Sequence, residues 1–309
     1  MTTAYLAVDG LERQLREELA RAGVEIRATH GSLVLSDSLP VSAAWAANIW
    51  RDCLELPVAS IGTAAKALRD IQRNWAMYAP VHHRRAALIQ EKLPHVSARP
   101  VVFPTAAPTA PLGSWTLLAP DRMLAAASCS SPFPNGEVDL VEDKVGPPSR
   151  AYLKLWEALV RLRRWPQPGE RCLDLGACPG GWTWVLARLG ASVVAVDKAP
   201  LDPKVVAMPG VEWRGESAFG LDPATVGPVD WLFSDVICYP ARLLRLVERW
   251  RASGLVQNFV CTIKFQGETD HETARAFAAI PGATVLHLHN NKHELTFLLP
   301  FRPPDPLPG

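Results

Sequence analysis

The sequence predicts two folds in one chain of 309 residues: an α/β domain built on a doubly wound parallel sheet over the second half, and a smaller α+β domain before it. Three observations predict this. Arg171-Cys172-Leu173-Asp174-Leu175 is a short apolar run that breaks into Gly176-Ala177-Cys178-Pro179-Gly180-Gly181 and resumes as an apolar stretch to Leu189, which reads as strand, tight loop and helix. Beyond it, strand-like and helix-like stretches alternate almost to the end. Before it the alternation is shorter and includes a hairpin.

In chain order, residues 4–8 predict a strand and Gly10 its turn. Leu11, Leu15, Leu19 and Ala22 recur at helical spacing, and Gly23 stops that helix. Residues 24–29 and 32–35 predict a hairpin around His30-Gly31. Residues 42–54 and 63–78 predict helices, with a short strand near 57–61. Residues 81–93 predict a helix carrying His82, His83, Arg84, Arg85 and Lys92, a cluster that reads either as a solvated face or as a contact to RNA phosphates. Residues 94–111 are proline-rich and irregular. Strands at 115–118 and 123–128 close the first domain, assigned to residues 1–130. A linker at 131–148, rich in Pro, Gly and acidic residues, follows.

The second domain is assigned to residues 149–302. Ser149 suits an N-cap before a helix at 150–164. After the glycine loop come strands at 192–196, 211–213 and 231–234, a helix at 241–252, a strand at 258–263 and a helix at 268–279. Strands at 283–289 and 294–299 end the domain, and residues 303–309 form a proline-rich mobile tail.

Composition bounds the function. Hydrophobic residues are 48% and the formal net charge is +1, so the chain folds around a core and any nucleic-acid contact comes from local basic patches. Six cysteines form no C-x-x-C pair, the pattern of reduced thiols in a cytoplasmic protein. Neither a signal segment nor a membrane-spanning run is expected.

The loop sequence selects its ligand. Glycine is expected where the backbone turns sharply and lies against a bound molecule. A dinucleotide loop needs G-x-G-x-x-G, and G-A-C-P-G-G fails at the second glycine. Asp197, at the tip of the 192–196 strand, reads as a ribose ligand or a helix N-cap, and Glu216 as a ligand to adenine or an exposed loop carboxylate. Asp235 and Lys264 follow the 231–234 and 258–263 strands, so both reach one cleft at the carboxyl edge of the sheet. Lys154 alone reads as a snorkelling lysine and Glu294 as a strand-edge charge.

Taken together, D-L-G-A-C-P-G-G-W-T with S-R-A-Y-L-K-L, S-D-V, I-K-F-Q-G and H-E-L-T resembles the FtsJ-like RNA ribose 2′-O-methyltransferases. Over roughly residues 149–299 it looks most like the bacterial 23S ribosomal-RNA cytidine 2′-O-methyltransferase family. The resemblance implies a Rossmann-like class I methyltransferase sheet with an antiparallel last strand, and a ferredoxin-like, THUMP-related N-terminal domain. It implies S-adenosyl-L-methionine as cofactor and RNA, 23S rRNA or a precursor, as substrate, with no membrane and no obligate protein partner. It implies a catalytic tetrad of Lys154, Asp235, Lys264 and Glu294. It places Ser149, Gly176, Cys178, Pro179, Gly180, Gly181, Trp182, Asp197, Glu216 and Asp235 around the cofactor. Lys264 is expected to take the ribose proton or to position the hydroxyl as a cation.

Two other functions compete. An RNA cytosine C5-methyltransferase would use Cys238 or Cys261 as nucleophile, although both thiols also suit packing. A non-catalytic RNA-binding or ribosome-assembly protein could keep the fold. His287 and His289 would share one strand face and, with His293, hint at a metal, but no fourth ligand stands out and none is assigned. Arg242, Arg245 and Arg249 form a helical stripe that suits an RNA patch or a solvated face. As residues, Trp182 and Trp184 read as core packing.

Overall fold

The computed structural model describes residues 1–96 and 99–301; the 303–309 tail lies outside these. Two compact units form. Of the described residues, the first takes those up to 100 and again 108–139; the second takes 101–107 and 140–301.

The first unit is α+β. In order it contains β1 (Thr2–Ala7), α1 (Glu12–Arg21), β2 (Ala28–His30), β3 (Leu33–Ser36), β4 (Ala46–Pro57), α2 (Ile61–Ile71), β5 (Trp75–Met77), α3 (His83–Gln90), β6 (Gly113–Ala119), β7 (Arg122–Ala126) and β8 (Ser128–Cys129). The sheet runs β2-β3-β1-β4-β7-β6-β5, with β8 beside β4. Its pairs are antiparallel apart from β5 with β6. Period-two alternation sorts β7 between two cores. Met123 and Ala125 join Leu68, Ile89, Trp75 and Trp115 under the helices, whereas Leu124 and Ala126 join Ala4, Leu6, Leu33 and Trp50.

Several expected elements change. Residues 42–54 are not a helix but contribute most of β4. Their alanines favour a helix locally, yet Asn48, Ile49 and Trp50 are all buried, and three consecutive buried residues suit a central strand closed on both faces. Asp52 sits at φ +52, where the register with β1 slips by a residue and β4 passes from β8 to β7. No separate strand forms at 57–61: β4 reaches Pro57, and a capping box between Ser60 and Thr63 opens α2. That helix stops at Ile71 because Gln72 is extended, freeing Trp75–Met77 to pair with β6.

The expected linker at 131–148 is not a free connection. Ser131, Phe133 and Val138 are buried in the first unit, because the segment carries apolar anchors between its prolines. Residues 140–148 belong to the second unit. The irregular 94–111 stretch also divides: Phe103 stacks on Trp156 with ring centroids 5.0 Å apart, and the Ala107 amide donates to the Val160 carbonyl at 3.1 Å.

The second unit contains α4 (Tyr152–Leu162), β9 (Arg171–Leu175), α5 (Gly181–Arg188), β10 (Ser192–Val196), α6 (Pro203–Val206), β11 (Val211–Arg214), α7 (Pro223–Val226), β12 (Val229–Ser234), α8 (Pro240–Ala252), β13 (Val256–Lys264), α9 (His271–Ala278), β14 (Thr284–Leu286) and β15 (Glu294–Leu299). The strand order is β11-β10-β9-β12-β13-β15-β14, or 3-2-1-4-5-7-6 counted within the unit. The first five strands are parallel, and β15 is inserted antiparallel between β13 and β14. This is the Rossmann-like, class I methyltransferase arrangement. The order reverses between β9 and β12, which opens a crevice at their carboxyl ends. The Ser149 cap does not form: Ala151 takes the N-cap of α4 without a side-chain bond. The 283–289 strand shortens to three residues, so His287 and His289 do not share a strand face.

Asn48, 1% exposed, donates to Ser114 Oγ and accepts from Ser130 Oγ and the Ser131 amide. Asn48→Ala therefore strands buried polar groups and lowers unfolding free energy by about 1–3 kcal/mol, as read from urea denaturation.

Candidate active site

The glycine loop is shaped first by the chain itself. Gly176 has φ +79, and a Cβ there would stand 2.6 Å from the Val236 Cα. The loop after β9 thus lies directly against the loop after β12. Gly180, at φ +112, begins α5 with Val205 packed close, and a Cβ on Gly181 would meet Ser149 Oγ at 2.6 Å. Ser149 Oγ is buried and has no hydrogen-bond partner. Expected crowding by a ligand is therefore, at these positions, crowding by protein.

Asp197 stands at the tip of β10. Its Oδ2 accepts the Cys178 amide at 3.1 Å and its Oδ1 the Ala199 amide at 2.9 Å. Each oxygen keeps a further lone pair for a ligand hydroxyl. Cys178 and Pro179 are exposed on the same loop, and the Cys178 thiol meets the Pro200 carbonyl at 3.3 Å. Glu216 is exposed after β11. Trp182 is placed differently from the rest of the expected cofactor set. It is 4% exposed, its indole N–H donates to the Ala151 carbonyl, and its ring packs edge-on to Phe233, so its side chain locks α5 to the start of α4.

Lys154, Asp235, Lys264 and Glu294 converge. Lys154 Nζ lies 3.1 Å from Asp235 Oδ1 and 3.0 Å from Glu294 Oε1. Lys264 Nζ lies 3.1 Å from the same Asp235 Oδ1 and donates a short bond to the Asp235 carbonyl. The antiparallel register sets Lys264 directly opposite Glu294. All four side chains are between 11% and 18% exposed. Four formal charges cancel, which makes their joint desolvation tolerable. Burial pulls the Lys154 ammonium down, but Asp235 and Glu294 outweigh it and hold the pKa above the usual lysine value.

The thiols needed by the C5 alternative are placed for packing. Cys261 is fully buried in β13, and burial pushes it far up; Cys238, 6% exposed, is also raised by burial. Neither is presented to a base as a thiolate. The histidines scatter: His287 Nε2 meets the Lys292 carbonyl, and His293 Nε2 meets Thr269 Oγ1, both at 2.8 Å. Of the arginine stripe, Arg249 donates to the Phe219 and Leu221 carbonyls, and Arg242 lies over the Phe219 ring at 3.8 Å. Both hold the turn before α7.

Two acids escaped the sequence reading. Asp174, 1% exposed in β9, accepts from Thr183 Oγ1 at 2.6 Å. Its pKa is pushed up to about 7, first by burial and then by the nearby Asp235 and Asp197 charges. Glu157 is completely buried one turn beyond Lys154 on α4. Its oxygens accept from Arg161 Nε, the His289 amide and the Asn290 amide. It thereby fixes the loop that leads into Glu294. A polar residue in an otherwise apolar helix stretch was the available signal for Glu157.

The strand order of the second unit is that of a Rossmann-like, class I methyltransferase sheet. Residues 147–274, which lie in the second unit, match the family model described as FtsJ-like methyltransferase. Among curated relatives, "Ribosomal RNA large subunit methyltransferase M" of Halorhodospira halophila is 39% identical over 157 residues, covering 48% of this chain and 46% of that one. The Shewanella frigidimarina protein of the same name is 31% identical over 166 residues, with the same coverages. The chain spans a little under half the length of these relatives. Among solved structures, a putative ribosomal RNA methyltransferase from Plasmodium falciparum aligns with TM-score 0.38 and 16% identity, covering 49% of this chain and 96% of that one.

Asp174 is neutral in the fold up to about pH 7 but ionises near pH 4 when unfolded. The stability it contributes is complete below pH 4 and is lost as pH rises through 7. Asp174→Asn should remove that loss, so the variant gains on wild type between pH 4 and 7, by a few kcal/mol on the order of the shift, in melts across pH. Glu157→Ala should cost about 1–3 kcal/mol by removing the acceptor of the His289 and Asn290 amides and should speed hydrogen exchange over residues 287–293.

Proposed function

We propose that this protein transfers a methyl group from S-adenosyl-L-methionine to a ribose 2′-OH of large-subunit ribosomal RNA. The observation that carries this reading is the convergence of Lys154, Asp235, Lys264 and Glu294 beside the loop after β9. A ribose hydroxyl is a poor nucleophile until its proton is drawn off, so the protein must align it and supply a proton acceptor. Bound S-adenosyl-L-methionine supplies an electrophilic methyl sulfonium. Gly176, Cys178, Pro179, Gly180, Asp197 and Glu216 form the set that would hold it, with Asp197 offering carboxylate lone pairs to hydroxyl groups.

Within the tetrad the two lysines differ in their contacts. Lys154 meets both carboxylates and serves as the fixed cation. Lys264 meets one carboxylate oxygen and a main-chain carbonyl; as the free amine, its own proton already released, it takes the ribose proton, and as the cation it positions the hydroxyl. Asp235 and Glu294 orient the amines. The exposed His82, His83 and Arg84 of the first unit support contact with RNA phosphates, and six free thiols support a cytoplasmic setting. Among the described residues, no helix is long and apolar enough to cross a membrane.

The reading is tested with labelled cofactor and unmodified large-subunit ribosomal RNA, followed by mapping of the 2′-O-methylated nucleotide. Lys264→Ala should lower kcat by roughly 10²–10⁴-fold while cofactor affinity, measured by calorimetry, stays near wild type. Full turnover by this variant removes Lys264 from the role.

A further inference from the structure

The chain between Asp235 and α8 does something the tetrad does not require. It alternates between protein and water. Val236 packs against Gly176, Ile237 is 76% exposed, Cys238 is 6% exposed, Tyr239 is 65% exposed, and Pro240 is buried at the start of α8. Two large apolar side chains thus stand in solvent on the loop that carries Asp235. The loop is also held firmly. Asp235 is bound by both lysines, and the Tyr239 carbonyl accepts from the Arg242 and Leu243 amides at 2.9 and 3.3 Å. The backbone is pinned at both ends while the two side chains point away from the core.

We propose that Ile237 and Tyr239 form a ledge on which the base of the target nucleotide rests while its ribose hydroxyl meets Lys264. The inference depends on the ribose reading above and adds the recognition of the nucleotide to it. Exposed apolar groups beside a polar cluster mark a contact surface. The occupant follows from position. Tyr239 is the fourth residue after Asp235, so their Cα atoms lie within about 14 Å of each other, and a base is joined to its own ribose by one glycosidic bond. An aromatic ring on a fixed backbone stacks on any base through its π-face and needs no hydrogen bonds to do so. The hydroxyl chemistry and the base contact then sit on one rigid loop, so that seating the base aligns the ribose.

The test uses the full chain, S-adenosyl-L-methionine and an unmodified large-subunit ribosomal RNA fragment containing the nucleotide mapped with wild type. A second fragment carries an abasic ribonucleotide there, which keeps the 2′-OH and lacks the base. Wild type should favour the intact fragment in kcat/KM by roughly ten- to a hundredfold. Tyr239→Ala should lose most of that preference by slowing on the intact fragment alone, with Ile237→Ala losing part of it. Tyr239→Phe, which keeps the ring, should recover the preference. Unchanged cofactor affinity shows each variant to be folded. Equal loss on both fragments, or no loss on either, overturns the ledge while leaving ribose transfer intact. Failure of wild type to methylate any RNA overturns the ribose reading and the ledge with it, and is seen before any variant is compared.

Discussion

The ammonium of Lys154, held between Asp235 and Glu294, joins three parts of the second unit that are remote in sequence: a helix that precedes the sheet, the loop after β12 and the first residue of β15. Ion pairs this sheltered gain little net stability, because each charge must first leave water. Their value lies in geometry. A lysine side chain is flexible and strongly hydrated in solution; between two acids it has one favourable place. The same helix carries Glu157 a turn later, which captures the backbone before Glu294. α4 therefore determines both where Glu294 lies and what its carboxylate meets.

A second constraint links cofactor loop and tetrad. Gly176 and Val236 are packed so closely that no side chain fits at residue 176. Val236 follows Asp235 directly. Displacement of the glycine loop would press on the neighbour of the acid that holds both lysines. The groups expected to hold the methyl donor and those expected to prepare the acceptor are thus parts of one packed assembly.

Much of this was legible in the sequence because the second unit obeys local rules. Apolar β-branched runs ended by an acid or a lysine specify strand tips, and the doubly wound topology brings those tips to one edge. That is how Asp235 and Lys264 could be paired from residues far apart, whereas Lys154 and Glu294 were joined to them through family resemblance. The first unit was less legible. The alanine-rich stretch before Asn48 favours a helix by propensity, and only its place between β1 and β7 makes it a strand. The connection at 131–148 has the composition of a linker, yet Phe133 and Val138 are core. Glu157 showed in the sequence only as a polar residue in an apolar helix stretch, because two of its partners are the His289 and Asn290 backbone amides, which carry no sequence signature.

The passage of residues 101–107 through the second unit has an evolutionary consequence. A domain joined to its neighbour by a single thread can be exchanged by one recombination event. Here Phe103 stacks on Trp156 of the helix that carries Lys154, and the chain then returns to the first unit before crossing again. A breakpoint placed just ahead of that helix would remove one of its aromatic supports along with everything upstream.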